Sequence, residues 1–410
     1  MIFNQNILDF ISQCEEECKD LFKQIDDNAF LCQGKVLQAF SDHVVSERHL
    51  KGSCGYGYDD IGRDTLCRVY AQTFGAESAI VSPNILSGTH ALTLALFGVL
   101  RPGDLLLSIT GKAYDTLEEV INGEGIGSLK DWGIRYKTID FKDNKIDYET
   151  VKQSILNDPP KAVFITRSKG YAWRNALTIS EIEEAISFVK SINKEIIVIV
   201  DNCYGEFVSA KEPCEVGADL MVGSLIKNPG GGIAPTGGYI AGVNKWVEQV
   251  AFRFTAPSIG MEIGSYSYGY NNFYQGFFLA PHVVANAIKV SALFSAAFQK
   301  LGFETLPKIG EMPTDIICSI KLNTERGLID FCKAIQAVSP IDSHLSPEPW
   351  DMPGYNDKII MAAGTFVSGA SIELSADGPV RPPYIAYMQG SLTYEHGKIA
   401  LAEILKPYIG

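Results

Sequence analysis

The feature that most constrains the fold is an apolar run of five β-branched residues, Ile196–Val200, that ends in Asp201 and Asn202. Such a run predicts a strand. Further runs alternate with helical patterns from about residue 78 onward, as in an α/β domain with a largely parallel sheet. A carboxylate at the carboxyl end of a parallel strand points into the crevice where such sheets bind ligands. Asp201 is therefore expected at a ligand site, although capping a following helix is its commoner role.

A lysine and a run of glycines follow this strand. Lys227 lies between Gly223-Ser224 and the glycines Gly230–Gly232. A lone lysine is most often a solvated surface cation. In a pocket, desolvation and neighbouring cations would lower the pKa of its amine and leave a nucleophile able to form a Schiff base. An amine for an aldehyde and a carboxylate for a pyridinium nitrogen are what pyridoxal 5′-phosphate (PLP) requires, so Lys227 and Asp201 together indicate a PLP site.

Other polar turns could complete such a site. A short strand at 78–81 leads to the small residues Ser87–His90 at the start of a helical pattern, where free backbone N–H groups can bind a phosphate. The strand predicted at 104–110 is followed by a turn that contains Tyr114. A loop rich in glycine and aromatic residues, before a helical run at 66–74, holds three possible ligand contacts: Tyr56, Tyr58 and Arg63.

Composition excludes several classes of protein. The 410 residues are 46% apolar and 20% charged, as in ordinary globular proteins. A net charge of −13 disfavours nucleic acid and anionic membranes as partners. Nine cysteines without a CxxC pair and six scattered histidines predict reduced thiols and no metal site. Because the first residues resemble no signal peptide, a cytoplasmic protein is expected.

The pattern changes after about residue 254. We expect a helical segment at 1–50, a large α/β domain at 51–260, a linking aromatic segment and long helix at 261–300, and a small α+β domain at 301–410. The apolar runs 316–322, 358–362 and 371–374 suit strands of this last domain, and a helix is expected at 394–405.

Six longer motifs identify a family. They are GYGYDDIGRDTL, SGTHA, RSKGYAWR, DNCYGEF, SLIKNPGGGIAPTGGYIAG and SIELSADGPVRPPY. Over nearly the whole chain they resemble the bacterial methionine γ-lyase-like or aluminium-resistance proteins, relatives of the cystathionine and methionine lyases. The resemblance implies the fold of type I PLP-dependent enzymes, with a large PLP domain and a smaller C-terminal domain, in a homodimer or homotetramer.

The resemblance also implies roles for single residues. Lys227 would be the Schiff-base lysine and Asp201 the partner of the pyridine nitrogen. Tyr114 would stack on the cofactor ring, and the phosphate would be held by Ser87, Gly88, Thr89 and Ser224. Either Tyr56 or Tyr58, with Arg63, would reach the phosphate of the neighbouring subunit. Arginine suits a substrate carboxylate because its two parallel N–H donors match it, and the candidates are Arg381 and then Arg174.

The expected activity is that of a carbon–sulfur lyase acting on a sulfur-containing amino acid. γ-Elimination from methionine or a relative would give a 2-oxo acid, ammonia and a thiol, with Lys227 as base and Tyr114 as acid. The alternatives are β-elimination, γ-replacement, aldol cleavage, or a PLP-binding stress or regulatory protein with little turnover, because one fold hosts many chemistries.

Overall fold

The structure, a computed structural model, describes residues 4–352, 355 and 357–409. Two sheets organise these residues. The larger has seven strands in the order β1-β7-β6-β5-β4-β2-β3. Its strands are β1 (Ser78–Ser82), β2 (Leu105–Ser108), β3 (Arg135–Thr138), β4 (Ala162–Thr166), β5 (Ile197–Asp201), β6 (Leu220–Ser224) and β7 (Gly238–Gly242). Five neighbouring strands run parallel, in the order β6, β5, β4, β2 and β3. The strand β7 lies antiparallel to both β6 and β1. The predicted mostly parallel α/β sheet is therefore confirmed.

Helices connect these strands and cover the sheet. The connecting helices are α3 (Ile61–Thr73), α4 (Gly88–Val99), α5 (Asp115–Asn122), α6 (Tyr148–Asn157), α7 (Ile179–Ile192) and α8 (Asn244–Phe254). The helix α7 begins at a capping box in which the Thr178 side chain accepts from the Glu181 backbone N–H and Glu181 accepts in return. The helix α3 begins earlier than expected, so Arg63 lies in its first turn rather than in the preceding loop.

Three further helices pack against the two sheets. The N-terminal pattern forms two helices, α1 (Gln5–Glu17) and α2 (Lys19–Asp42), and the predicted long helix is α9 (Asn271–Lys300). By length and composition α9 could cross a membrane, but 72% of its most apolar window is buried inside the protein. That burial is what a core helix of a soluble protein shows, and the cytoplasmic location stays a prediction.

The second sheet has five antiparallel strands in the order β10-β11-β12-β9-β8. They are β8 (Thr305–Leu306), β9 (Ile317–Lys321), β10 (Ile359–Ala362), β11 (Ser375–Pro379) and β12 (Ile385–Gln389), accompanied by α10 (Glu325–Ala337), α11 (Tyr394–Ile404) and α12 (Lys406–Ile409). The strand expected at 371–374 is wrong. Those residues form turns before β11, because the Glu373 carboxylate there accepts from the backbone N–H groups of Phe366 and Val367. The proposed domain boundaries stay a prediction.

The glycines after Lys227 allow close packing rather than flexibility. A Cβ at Gly230 would overlap the backbone carbonyl of Leu225, and one at Gly231 would overlap the carbonyl of Gly276 in α9. Gly231 also has φ of 55°, a left-handed conformation that favours glycine. The chain after β6 is therefore pressed against α9 within a fixed turn, which holds the backbone of Lys227.

Gly230→Ala is expected to destabilise the protein by about 2 kcal/mol or more, because a methyl group meets backbone that cannot rotate away. Gly34 is the matched control: it lies in α2 and an added Cβ meets nothing within 4 Å. Gly34→Ala should stabilise by about 0.5–1 kcal/mol, the gain of alanine over glycine within a helix. Chemical unfolding of both variants checks this, and equal stability of the two would contradict it.

Candidate active site

The Lys227 amine lies over an aromatic ring at the carboxyl end of the large sheet. Lys227 follows β6 by a short turn and is partly buried. Its Nζ is 4.2 Å from the centroid of the Tyr204 ring, which makes a cation–π contact. Tyr204 has φ of 72°, a left-handed conformation that is unusual for an aromatic residue. Strained backbone of this kind is often found at functional sites, and here it presents the ring to the amine.

Asp201 supplies a buried carboxylate beside this amine. It is the last residue of β5, is 2% exposed, and accepts a hydrogen bond from the Cys203 backbone N–H at 3.1 Å. Burial raises the pKa of Asp201, and the positive charge of Lys227 opposes that rise. This bond makes a local turn within the loop and caps no helix. A carboxylate buried this deeply requires a proton-bearing partner, so the geometry suits a cationic ring nitrogen.

The turn before α4 meets the ends of β5 and β6. Ser87 is the N-cap of this 12-residue helix, and its hydroxyl accepts from the His90 backbone N–H at 3.1 Å. A Cβ on Gly88 would lie 3.4 Å from Cβ of Ser224 and 3.5 Å from Sγ of Cys203. Thus the backbone N–H groups at the start of α4 and the Ser224 side chain come together, as an anion site requires.

Tyr114 connects this turn to the lysine and aspartate. Its hydroxyl is 2.9 Å from Oγ1 of Thr89. Burial and then the Asp201 carboxylate raise the pKa of Tyr114, while Thr89 and Lys227 oppose the rise. The phenol therefore keeps its proton at neutral pH. The residues predicted for the cofactor that meet in one crevice are Ser87, Gly88, Thr89, Tyr114, Asp201, Ser224 and Lys227.

The protonation of Lys227 differs from expectation. Burial by itself would lower the pKa of its amine, but Cys203, Tyr204, Asp201 and Tyr114 together raise it above the ordinary value. The predicted lowering by neighbouring cations is wrong, because the groups that shift this amine are acidic. With no aldehyde bound, the Lys227 side chain is therefore a positively charged ammonium group at neutral pH, because its pKa is raised by the acidic groups around it.

Three other residues predicted to contact the phosphate make contacts elsewhere in the chain. The guanidinium of Arg63 is buried and donates to Asp64, to the Gly57 carbonyl at 3.0 Å and to the Gly264 carbonyl at 3.3 Å. Tyr56 and Tyr58 are 68% and 64% exposed, with ring centroids 5.5 Å apart. Within the described part of the chain, no hydrogen bond or ring contact joins these three to Lys227.

The two candidate arginines for a substrate carboxylate are already engaged. Arg174 is 9% exposed, lies over the Phe141 ring, and donates to the carbonyls of Asn175 and Ser168. Burial lowers its pKa to about 10, which leaves it charged. The side chain of Arg381 is 54% exposed and forms an ion pair with Asp357 at 2.8 Å.

A buried network that the sequence did not predict fixes the loop after Asp201. Arg167 donates to Oδ1 of Asn202 at 2.8 Å and to the Gly205 carbonyl at 2.9 Å, and Asn202 donates to Glu212 at 2.9 Å. The motifs containing Arg167 and Asn202 were visible in the sequence, but their contact across two strand ends was not. The network holds the backbone on both sides of Tyr204.

The comparisons place the chain in a family. The methionine γ-lyase family model matches residues 7–409. The uncharacterized protein YnbB of Bacillus subtilis (strain 168) is 56% identical over 394 residues, which are 95% of this chain and 93% of that protein. The chain therefore belongs to the methionine γ-lyase family, and the predicted family membership is confirmed.

Solved structures agree. A carbon–sulfur lyase involved in aluminum resistance from Clostridium novyi NT is 49% identical, with a TM-score of 0.94 over 98% of this chain and 96% of that one. A proposed cystathionine β-lyase involved in aluminum resistance from Clostridium acetobutylicum is 49% identical, with a TM-score of 0.95 over 98% and 95%. Membership of a carbon–sulfur lyase family is therefore confirmed, and methionine as the substrate stays a prediction.

A more distant likeness concerns the fold. The pyridoxal-5′-phosphate-dependent protein YhfS of Escherichia coli is 15% identical, with a TM-score of 0.64 over 93% of this chain and 97% of that one. The predicted fold of PLP-dependent enzymes is confirmed.

Arg167→Gln is expected to destabilise the protein by about 3–5 kcal/mol, because the shorter neutral amide leaves buried acceptors on Asn202 and Gly205 without their donor and removes the positive charge near the buried Glu212. Arg326 is the matched control, since its side chain is 91% exposed and pairs with Asp330 on the surface. Arg326→Gln should change the free energy of unfolding by no more than about 0.5 kcal/mol. Chemical unfolding measures both variants, and a loss below about 1 kcal/mol for Arg167→Gln would show that the network contributes little to stability.

Proposed function

We propose that the protein binds PLP through Lys227 and cleaves a carbon–sulfur bond of an amino acid, by γ-elimination from methionine or a related thioether. The observation that carries the proposal is the meeting of the Lys227 amine, the buried Asp201 carboxylate and the start of α4 in one crevice. A helix N-terminus suits a phosphate, a carboxylate suits a pyridinium nitrogen, and a lysine amine suits an aldehyde.

Asp201, Lys227 and Tyr114 are proposed to have different roles in the reaction. When bound, PLP supplies an electron sink for the carbanion formed at the substrate Cα. Asp201 would keep a proton on the ring nitrogen. Lys227 would hold the cofactor aldehyde and, as a free amine, would accept the Cα proton. Tyr114 would donate a proton to the departing sulfur, a role that fits a phenol whose pKa is raised by burial.

β-Elimination is a second candidate, because a similar protein of Clostridium acetobutylicum is named as a proposed cystathionine β-lyase. Both reactions begin with the loss of the Cα proton, so the same Lys227 and Asp201 serve either one. γ-Replacement, aldol cleavage and binding of PLP with little turnover remain the alternatives that an assay must separate.

A homodimer or homotetramer with shared sites is part of the proposal. The two exposed tyrosines, Tyr56 and Tyr58, and the neighbouring Arg63 are the groups proposed to reach the phosphate of the partner subunit. The exposed position of both tyrosine rings supports this arrangement. The substrate carboxylate would be bound by Arg381, or by Arg174.

Purified protein with PLP should absorb visible light, and borohydride should fix the cofactor to the chain. Lys227→Ala is expected to abolish the fixed cofactor, because no amine remains to bind the aldehyde. Lys211 is exposed on the loop that follows the Tyr204 turn, so Lys211→Ala should leave fixation unchanged. Mass spectrometry of reduced, digested protein locates the label, and a label on another lysine would overturn the assignment.

The product separates the two eliminations. Methionine, cystathionine, homocysteine and cysteine are offered in turn. γ-Elimination from the first three should yield 2-oxobutanoate together with a thiol or, from homocysteine, hydrogen sulfide. β-Elimination from cystathionine or cysteine should yield pyruvate. The 2-oxo acid is identified by chromatography after derivatisation, with Lys227→Ala as the blank. Formation of 2-oxobutanoate from methionine or cystathionine is expected, and pyruvate alone would replace γ- by β-elimination. No 2-oxo acid from any of the four would contradict a lyase acting on these compounds.

A further inference from the structure

The ring of Tyr204 contacts an atom that reacts in the proposed chemistry. The Lys227 Nζ lies 4.2 Å from the centroid of this ring. The face of an aromatic ring carries negative electrostatic potential, and at this distance it attracts a cation. Tyr204 therefore acts directly on the charge of the Lys227 nitrogen, although the proposed chemistry gives it no role.

The backbone around Tyr204 is fixed in an uncommon conformation. Tyr204 and Phe207 have φ of 72° and 62°, left-handed values that residues other than glycine rarely adopt. Between them, an added Cβ at Gly205 would overlap the Arg167 side chain, and the Gly205 carbonyl accepts from Arg167 at 2.9 Å. A backbone that is strained and also held by its surroundings is often found at a functional site.

A buried hydrogen bond joins this loop to the lysine turn. Asn228 follows Lys227, and its Nδ2 donates to the Glu206 carbonyl at 3.0 Å. Both Asn228 and Glu206 are 0% exposed. The Glu206 side chain is fixed in turn, because it accepts from the Tyr239 hydroxyl at 2.8 Å. The segments that carry the ring and the amine are thus bonded directly to each other, which keeps the contact between Tyr204 and Lys227 in place.

The acidic groups around the amine are mostly neutral. Burial raises the pKa of Cys203 and that of Tyr114, so both keep their protons at neutral pH. Burial also raises the pKa of Glu206 to about 8. The charged neighbour is Asp201, and the proposed function assigns its carboxylate to the pyridinium nitrogen. The Tyr204 ring needs neither a charge nor a proton to stabilise an ammonium group.

We propose that Tyr204 is a catalytic residue whose ring face stabilises positive charge on the Lys227 nitrogen. When Lys227 takes the Cα proton of a substrate, the C–H bond breaks and an N–H bond forms at Nζ, while the electron pair stays with the substrate carbon and the PLP electron sink. The ring favours the ammonium group that results, so it strengthens Lys227 as a base. The inference rests on the proposed function, in which Lys227 is the base.

Ring substitutions test the ring face with little change in its shape. Fluorine withdraws electrons from an aromatic face, so Tyr204→Phe keeps the cation–π contact and Tyr204→trifluorophenylalanine weakens it. The proton affinity of the Lys227 amine is measured in the full chain, freed of bound aldehyde with hydroxylamine, from the pH dependence of acetylation followed by mass spectrometry. Tyr204→Phe should keep this affinity within about 2-fold, and the fluorinated variant should lower it about 5-fold.

Tyr384 is the matched control. It has a left-handed φ of 58° and is half-buried like Tyr204, but it lies in the turn before β12. The same two substitutions at Tyr384 should change the proton affinity of Lys227 by no more than about 2-fold. In protein loaded with PLP, the fluorinated Tyr204 variant should lose the long-wavelength visible band at a lower pH than Tyr204→Phe, because that band belongs to the protonated nitrogen.

The outcomes are distinct. Equal proton affinities in the two Tyr204 variants would overturn the inference and leave the lyase proposal intact, whether both match the unaltered protein or both fall. An equal loss in the fluorinated Tyr384 variant would also overturn it. If borohydride fixes no cofactor to Lys227 of the unaltered protein, the proposed function fails and the catalytic role of Tyr204 fails with it. Both Tyr204 variants keep an aromatic ring, so the comparison does not depend on a protein with an emptied site.

Discussion

The opposed charges of Asp201 and Lys227 are the interaction on which the rest of the site depends. Burial disfavours the ionised form of each, and each raises the stability of the other's charge. The strands β5 and β6 are parallel neighbours, so their carboxyl ends bring the two residues to one edge of the sheet. A cofactor aldehyde would bind the lysine amine of this pair, and a pyridinium nitrogen would bind its carboxylate.

Rigid neighbours keep this pair in place. On the aspartate side, Arg167, Asn202 and Glu212 fix the loop that presents Tyr204. On the lysine side, Gly230 and Gly231 let the turn press against α9. The hydrogen-bond network and the glycine turn both restrict the backbone to one conformation, as a preorganised site requires.

The region of the small sheet packs against the turn that follows Lys227. An added Cβ at Gly232 would overlap Leu392, which follows β12, so the lysine turn and the small sheet are in direct contact. The same contact region carries Tyr171 against Tyr387 and Asp377. The loop after β12 therefore packs directly against the turn that follows Lys227.

The sequence by itself determined the parallel sheet, the strand that ends in Asp201, the turn at Ser87–Thr89 and the family. Periodicity and motif spacing are local properties, and they suffice for elements and for residues that follow strand ends. Only the tertiary structure decided the charge state of Lys227, the ring of Tyr204 beneath it, the network around Arg167 and the approach of Asp377 to Tyr171. Those features depend on burial and on contacts between residues far apart in the chain, and neither is written in local pattern.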